Sequence, residues 1–241
     1  MASMSGPSGA PTALDRFHNH LEMTVRINDP VVGFSDVAGF KSGSPAWPGL
    51  PTWAQLQEVR EIVGAIRTVS EYILIPHDDE APPLRFAVVW DDSQGARRHA
   101  RVYYDSRAFG YSVPRPPVVA PDRYIARPHF MGRFEEAMVT GDPDVFAAAL
   151  AADAIVHEST AALDGAKFAS IIGNPSTPDD NRDGRSAGVP LQFCTVTTDG
   201  AVAAAEHVVW RRPPHAGLGV YTQGPDGRIN EFRVYETPAV H

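Results

Sequence analysis

The chain is poor in several features that mark common classes of protein. Its 241 residues include one cysteine, Cys194, so no disulfide can form within the chain. Lysine occurs only at Lys41 and Lys167, no basic run or basic–aromatic stripe is present, and the formal net charge is −8. We therefore predict no nucleic-acid partner, because binding to phosphates depends on clustered positive charge.

Long apolar runs are missing as well. No apolar stretch approaches the ~18 residues of a membrane-spanning helix, so no membrane segment is predicted. Residues 1–13, MASMSGPSGAPTA, lack the basic start and apolar core of a secretory signal and predict a disordered Ser/Gly/Pro tail. A cytoplasmic location is therefore expected. No Cys/His spacing is typical of a zinc site, and neither a metal nor a cofactor is predicted.

Proline marks one joint in the chain. Between Tyr111 and Arg127, the prolines at 114, 116, 117 and 121 forbid a helix and favour an extended connector. We predict an N-terminal α+β domain at 14–111, a connector at 112–125 and a C-terminal domain at 126–241. This division suits domains of ~100–150 residues.

The N-terminal half shows a helical pattern followed by strand patterns. From Trp53 to Thr68, apolar side chains recur at the spacing of an amphipathic helix, namely at Leu56, Val59, Ile62, Val63 and Ile66. Strand candidates follow in SEYILIP, PLRFAVVWDD and RRHARVYYDSR, and Leu14 to Asn28 is a candidate for an additional helix. This order of elements indicates a degenerate copy of the C-terminal half.

The C-terminal half opens with two helices and a strand. An apolar stripe over 130–138 predicts the first helix. Asp142 is a good N-cap and Pro143 suits the first helical position, so a second helix is predicted as far as Asp153. The β-branched residues of 154–158 then predict a strand.

Four longer strand patterns complete this half: VPLQFCTVTTDG, AVAAAEHVVWRR, GLGVYTQGPDG and RINEFRVYE, with a Gly-Pro-Asp-Gly turn at 224–227 between the last two. Together with the helix–helix–strand opening, residues of about 126–238 resemble the nuclear transport factor 2-like superfamily, and within it the SnoaL-like polyketide cyclases and the ketosteroid isomerases. The resemblance implies an α+β fold of tandem cone-shaped domains, each with helices packed on a strongly curved antiparallel sheet.

The resemblance also bears on how the sheets are covered. Members of this family generally cover the convex face of the sheet by pairing subunits, which implies either a pseudo-dimer within this chain or a homodimer. Glu231, Arg233 and Tyr235, on the outer face of the last strand, would then contact the N-terminal domain. The alternative is an ordinary solvated strand face, because alternation alone does not identify a partner.

A carboxylate at the mouth of a pocket is a further implication of the resemblance. Glu158 falls on the position of the general-base aspartate of the ketosteroid isomerases. The phenol on their first helix is replaced at Phe134, and their oxyanion-stabilising acid falls near Leu218-Gly219. Steroid isomerisation is therefore not expected, because the groups that would stabilise a dienolate are absent.

Strand parity supplies the other candidate residues. His207 and Glu236 face inward and could transfer protons, although a hydrogen-bonded core histidine is the structural alternative. A register slip of one residue would place Glu206 on the inner face in place of His207. The predicted pocket lining is apolar and consists of Phe134, Met138, Phe146, Val209, Phe232 and Val234.

These features indicate a cofactor-independent acid–base enzyme of secondary metabolism. It would act as a cyclase, isomerase or dehydratase on a polyketide-like or other medium-sized apolar small-molecule substrate, with Glu158 as base and His207 and Glu236 as further acid–base groups. An epoxide hydrolase or an epoxide-opening cyclase is one alternative. A noncatalytic small-molecule-binding or scaffold protein, with its cone filled by side chains, is the other.

Overall fold

Two six-stranded β-sheets dominate the computed structural model. The residues that the structure describes are 17, 25–29, 33–35, 54–77, 82–92, 98–109, 115–158, 162–173, 188–210 and 213–236. The tail at 1–13, which we predict to be disordered, lies outside them. Within these ranges, no helix has both the length and the apolar character needed to cross a membrane.

The first sheet is built from β1 (Val25–Asp29), β2 (Gly33–Ser35), β3 (Ala54–Val63), β4 (Arg67–Pro76), β5 (Leu84–Asp91) and β6 (Arg98–Tyr104). Its strand order is β2-β1-β6-β5-β4-β3. β1 and β2 form an antiparallel hairpin, β3 to β6 form an antiparallel meander, and β6 lies parallel to β1. A short 3-10 helix, Ser106–Phe109, follows β6.

The second sheet and its helices are α1 (His129–Thr140), α2 (Pro143–Ala149), β7 (Leu150–His157), β8 (Ala162–Asp164), α3 (Gly165–Gly173), β9 (Leu191–Asp199), β10 (Val202–Val209), β11 (His215–Gln223) and β12 (Ile229–Tyr235). The strand order is β8-β7-β12-β11-β10-β9. β7 and β8 form the hairpin, β9 to β12 form the meander, and β12 lies parallel to β7.

The two sheets therefore share one connectivity, and the predicted α+β class with tandem modules is confirmed. One detail differs from the expected antiparallel sheets, because each sheet contains a parallel strand pair. We call β1–β6 the first module, and β7–β12 with α1–α3 the second module. The domain boundaries predicted at 14–111, 112–125 and 126–241 stay predictions.

The helical opening of the second module follows its local sequence. Asp142 caps α2, because its carboxylate accepts a hydrogen bond of 2.8 Å from the backbone N–H of Asp144, and Pro143 is the first helical residue. α2 ends at Ala149 instead of the predicted Asp153. Leu150 already pairs with Ile229 of β12, and this tertiary pairing outweighs the helix propensity of the alanines.

The helix predicted from Trp53 to Thr68 is wrong, because this segment forms β3, a turn and the start of β4. Opposite β4, Glu58 and Arg60 pair with consecutive residues, so Val59 is the extra residue of a β-bulge. The bulge reverses which side chains of β3 point inward. Leu56, before the bulge, packs in the interior of the first module, whereas Ile62, after it, packs on the outer face. An apolar pattern interrupted in this way imitates helical spacing.

The helix predicted from Leu14 to Asn28 is wrong at its C-terminal end, where Val25–Asp29 forms β1. This strand is stabilised by parallel pairing with β6, a long-range contact that the local pattern does not report. Phe17 is helical, and its buried ring contacts Tyr72 at a centroid distance of 5.1 Å. The other residues of the predicted helix lie outside the described ranges.

Strand register aligns the two modules residue by residue. In each meander, the second strand carries a glutamate and the fourth strand carries a tyrosine. Both residues pair with the same residue of the third strand, which lies between them. The aligned residues are Glu71 with Glu206, Ala87 with Leu218, and Tyr103 with Tyr235. The triplet Arg-Val-Tyr occurs at 101–103 and again at 233–235. The shared register and triplet support an internal repeat.

The outer faces of the two sheets pack against each other. Their joint core is a cluster drawn from both modules: Ile62, Val69, Ala87, Val89, Tyr103, Ala204, Ala216, Leu218, Val220 and Tyr235. The outer-face prediction for β12 is correct for Arg233 and Tyr235, which are buried and contact the first module. Covering these faces removes a large apolar area from water, which favours the paired arrangement.

Two hydrogen-bonded groups, which we call clasps, connect the modules in the same geometry. In the first clasp, Glu206 accepts hydrogen bonds from Arg101 Nε and Nη2 at 2.5 and 2.8 Å and from the Tyr103 hydroxyl at 2.6 Å. In the second clasp, Glu71 accepts from Arg233 Nε and Nη2 at 2.7 and 2.8 Å and from the Tyr235 hydroxyl at 2.6 Å. Each module thus supplies one glutamate and one Arg-x-Tyr pair.

Burial makes the clasps sensitive to the loss of any partner. Burial itself raises the pKa of Glu206, but the Arg101 charge and hydrogen bonds from Arg101, Thr195 and Tyr103 outweigh it and hold the pKa below its ordinary value. The two-pronged arginine contact gives strong and directional hydrogen bonds. A clasp therefore orients the sheets in addition to holding them together.

The proline-rich connector is fixed to both modules. Arg115 is buried, its guanidinium lies 4.2 Å from the centre of the Tyr103 ring, and it donates a hydrogen bond to the Val102 carbonyl. The Arg115 carbonyl in turn accepts a hydrogen bond of 2.8 Å from the Ala216 N–H. The described part of the connector contains no helix, as the prolines predict, and it has a bend at residue 119 and a turn at 123–124.

Glu206→Gln tests the clasp. We expect it to lower the free energy of unfolding at neutral pH by roughly 1–3 kcal/mol, since the buried Arg101 loses one charged partner and keeps Asp91 at 2.9 Å. Because the folded-state pKa of Glu206 is depressed, its contribution is present above the unfolded-state value and is lost as pH falls through the folded-state value. The difference from wild type should therefore shrink in acid. Urea unfolding of wild type and variant, at neutral pH and at acid pH, measures this difference in stability.

Glu136→Gln is the matched control, because Glu136 is exposed on α1 and the substitution makes the same chemical change. Equal stability losses in the two variants would contradict the role of the clasp.

Candidate functional site

The inner face of the second sheet is covered by α1, α2 and α3, with one hydrophobic cluster between. The residues predicted to line the pocket lie in this cluster or pack against it: Phe134, Met138, Phe146, Val209, Phe232 and Val234. Ala203, Ala205 and Val209 of β10 face it, whereas Glu206 faces the first module. The strand parity predicted for β10 is therefore correct.

Aromatic rings occupy the centre of this cluster. The Phe134 ring centroid lies 4.9 Å from that of Phe232 and 5.2 Å from that of Tyr221. Tyr221 stacks on Phe232 at 4.5 Å, and Phe168 of α3 stacks on Phe134 at 6.3 Å. These are ordinary contact distances for aromatic pairs, so the interior is packed by its own side chains.

His207 and Glu236 form a polar contact on the same inner face. His207 Nε2 lies 3.0 Å from Glu236 Oε2. His207 is buried and is paired in register with Gly217 of β11, while Glu236 directly follows the end of β12. A Cβ at Gly217 would lie 2.5 Å from His207 Nε2 and would also collide with the Glu236 carboxylate. The pair therefore meets across a position where only glycine leaves room.

This contact bears on the roles of the two ring nitrogens. An ionised carboxylate only accepts hydrogen bonds, so Nε2 donates to Glu236, and in a neutral ring Nδ1 then keeps a lone pair. Nδ1 is buried and has no hydrogen-bond partner among the described residues. An unsatisfied buried acceptor is unfavourable and unusual, and it is a reason to look for a ligand or a proton-transfer role.

Tyr221 carries a second buried polar atom of this kind. Its hydroxyl has no hydrogen-bond partner within the described part of the chain. It lies over Gly219, where a Cβ would be 2.5 Å from the Tyr221 oxygen. Burial, together with the negative charges of Glu236 and Glu135, raises the pKa of Tyr221 well above its ordinary value. The hydroxyl therefore stays protonated and can donate a hydrogen bond.

Glu158 lies at the rim of the second module. It is exposed, it follows β7, and it lines a crevice of about 10 Å³ together with residues of both modules: Arg85, Asp105, His157, Arg233, Val234 and Tyr235. That volume suits about one water molecule. Partial burial and then the charge of Glu236 raise the pKa of Glu158 above its ordinary value, while Arg107 opposes the shift. Its role as general base stays a prediction.

Aromatic residues stand at the equivalent positions of the first module. Register places Tyr72 at the position of His207, Phe86 at that of Gly217 and Tyr104 at that of Glu236. All of them are buried in the interior of the first module, where Tyr72 stacks on Phe86 at 5.2 Å. The acid–base pair is therefore a property of the second module.

Sequence reasoning finds His207 and Glu236 but misses Tyr221, Gly217 and Gly219. The signal for them is the alternation in GLGVY, which places two glycines and a tyrosine on one face of β11. In the described ranges, no group of three or more His, Cys, Asp and Glu side chains is placed to hold a metal ion.

Comparison with known proteins finds no matching family model and no matching curated protein. Solved structures do match, and the three described below each match less than half of this chain. An LEH-like epoxide hydrolase of M. tuberculosis is 22% identical over 45% of this chain and 80% of its own, with a TM-score of 0.35.

Two further similar structures come from other bacteria. A hypothetical protein from Catenulispora acidiphila with a ketosteroid isomerase-like fold is 15% identical over 46% of this chain and 86% of its own, with a TM-score of 0.34. An NTF-2 like protein of unknown function from Burkholderia xenovorans is 11% identical over 46% and 83%, with a TM-score of 0.36. The matches are to the same group of proteins that residues 126–238 resemble in sequence.

Gly217→Ala should separate His207 from Glu236 without unfolding the protein. The new methyl group would meet the ends of two side chains, which can move, and would not meet backbone. We expect a crystal structure of the variant to show the Nε2–Oε2 distance lengthened beyond hydrogen-bonding range. Gly132→Ala is the control, since a Cβ at Gly132 on α1 would lie 3.7 Å from its nearest neighbour, Arg127 Nε. An unchanged His207–Glu236 contact in Gly217→Ala would refute this account.

The pKa of Glu158 should fall in Glu236→Gln. Removal of the like charge removes one of the causes that raise this pKa, while partial burial remains. Titration of the Glu158 side-chain carboxyl by ¹³C NMR in wild type and variant measures the change. Glu136→Gln is again the control and should not change the pKa of Glu158. A rise in the pKa, or no change, would show that the two carboxylates do not interact.

Proposed function

We propose that the second module is a cofactor-independent acid–base enzyme in which His207, oriented by Glu236, transfers the proton. The observation that carries this proposal is the buried His207 ring, whose Nε2 contacts a carboxylate at 3.0 Å while its Nδ1 has no hydrogen-bond partner among the described residues. A histidine held by a carboxylate on one nitrogen and open on the other is the arrangement of a general base.

The reaction would begin with proton transfer from substrate to His207. Nδ1 takes a proton from a C–H or O–H group, the ring becomes an imidazolium, and the negative charge stays on the substrate. Glu236 stabilises the imidazolium through its contact with Nε2, as carboxylates do in histidine-based catalysis. The same proton can then be returned to another atom of the substrate, which completes an isomerisation, or can assist the departure of water in a dehydration.

Tyr221 and Glu158 would assist in different places. The Tyr221 hydroxyl remains protonated and can donate a hydrogen bond to the oxygen on which negative charge develops. Glu158 is exposed at the rim and its pKa is raised, so it can exchange protons with solvent or with a substrate that enters there. In this scheme the general base is His207, whereas the sequence resemblance assigns that role to Glu158.

The substrate would be a largely apolar small molecule with a carbonyl, hydroxyl or epoxide oxygen. The side chains around the pair are aromatic and aliphatic, and the polar atoms available to a ligand are few. This chemistry fits cyclisation, isomerisation or dehydration of a polyketide-like metabolite. It also fits the opening of an epoxide, if the base activates water. We further propose that the chain works as a pseudo-dimer, with one such site in its second module.

A second candidate function is noncatalytic binding or scaffolding. It is favoured by one observation, the packing of Phe134 against Phe146, Phe168, Tyr221 and Phe232, which fills the interior of the second module. A noncatalytic scaffold leaves this interior filled, whereas catalysis and noncatalytic binding both require an apolar compound to enter it.

A substrate screen with matched variants tests the proposal. The full-length protein is incubated with apolar ketones, epoxides and polyketide-like aromatic compounds, and products are identified by mass spectrometry. For any compound converted, His207→Gln should lower kcat/KM by ~10²–10⁴-fold, the usual contribution of a positioned acid–base group. His129→Gln is the control, because His129 is exposed at the start of α1.

The other outcomes of the screen are also decisive. Loss of activity in Glu158→Gln with normal activity in His207→Gln would assign the general base to Glu158. If wild type converts no compound, a compound that raises its melting temperature favours noncatalytic binding, and the absence of any such compound favours scaffolding.

A further inference from the structure

Each member of the His207–Glu236 pair directly follows a residue that belongs to a clasp. Glu206 precedes His207 on β10 and is held by Arg101 and Tyr103 of the first module. Tyr235 precedes Glu236 and is held by Glu71 of the first module. Successive side chains of a strand point to opposite faces, so the clasped residues face the first module while the pair faces the interior of the second.

At both places the strand pairing is irregular or ends. Pairing between β10 and β9 shifts register between Glu206 and His207, and an irregularity of this kind re-aims the side chains beside it. Thr195 of β9 fixes the same spot from within the second module, because its hydroxyl donates a hydrogen bond of 2.6 Å to Glu206. At the other place, Tyr235 pairs with Leu218 in the last register pair of β12, so Glu236 lies just beyond the paired part of the strand.

The residues that directly follow the clasp residues differ between the two modules. In the first module, the residues that follow Glu71 and Tyr103 are Tyr72 and Tyr104, which are buried in an apolar core that holds them by packing. In the second module, the corresponding residues are His207 and Glu236, which meet over a glycine instead of an aromatic side chain.

We propose that the first module is the positioning element of the acid–base pair: its residues Arg101 and Tyr103, through Glu206, and Glu71, through Tyr235, fix the orientation of His207 toward Glu236 from the opposite side of the sheet. This inference rests on the proposed function. It assigns to the N-terminal half a role in the reaction.

The test measures the tautomer of His207 and needs no substrate. Long-range ¹H–¹⁵N NMR spectra of the uniformly labelled full-length protein report which ring nitrogen carries the hydrogen, and His207→Gln assigns the signals. In wild type, the Nε2–H form should be present alone. Tyr103→Phe and Tyr235→Phe each remove one hydroxyl from a clasp, and we expect a mixture of tautomers with ¹⁵N shifts displaced toward those of Glu236→Gln.

Tyr104→Phe is the matched control. It removes a hydroxyl from a buried tyrosine next to Tyr103 on the same strand, but its side chain lies in the core of the first module. Its His207 spectrum should equal that of wild type even if its stability falls. If Tyr103→Phe or Tyr235→Phe does not fold, Thr195→Val replaces it, since it removes one hydrogen bond to Glu206 from within the second module and should displace the His207 signals similarly.

The outcomes separate this inference from the proposed function. Wild-type His207 spectra in all folded clasp variants, with a displaced spectrum in Glu236→Gln, would overturn the positioning role and leave the pair intact. A wild-type spectrum in Glu236→Gln would overturn the pair itself. A displacement in Tyr104→Phe as large as in the clasp variants would show a general effect of lost stability and would also overturn the positioning role.

Discussion

Two buried carboxylates, Glu71 and Glu206, are the constraint on which the rest of the structure depends. Each is held by an arginine fork and a tyrosine hydroxyl from the opposite module. A carboxylate removed from water is tolerated only when its hydrogen bonds are satisfied, so each sheet requires the other at one defined register. Apolar packing between the sheets supplies attraction, and the clasps add a specific relative orientation.

The two modules show how one backbone frame supports different interiors. Their outer faces carry the same glutamate and the same arginine and tyrosine from the Arg-Val-Tyr triplet, because these residues close the pair of clasps. Their inner faces have diverged. Phe86 fills the first module at the place where Gly217 leaves room in the second, and that missing side chain allows a histidine and a glutamate to meet. A glycine therefore separates an aromatic core from one that holds a His–Glu contact.

Two buried polar atoms of the second module, His207 Nδ1 and the Tyr221 hydroxyl, have no hydrogen-bond partner among the described residues, and apolar packing alone does not explain them. Desolvation makes His207 Nδ1 and the Tyr221 hydroxyl unfavourable as they stand. The same desolvation would strengthen any hydrogen bond that a ligand made to them, because the surroundings have a low dielectric constant. The catalytic and noncatalytic functions proposed above thus start from one architecture and differ in whether a ligand reaches these atoms.

Features set within a few residues could be predicted from the sequence: the Asp142-Pro143 helix start, the alternation of β10 and β12, and the turn at 224–227. Their causes are local, namely capping, restricted backbone angles and side-chain period. Tertiary structure alone decided that residues 54–63 form a bulged strand, since Val59 interrupts the period. It also decided which arginines meet Glu206 and Glu71, and that His207 meets Glu236, because those contacts join residues from 29 to 164 positions apart through strand register.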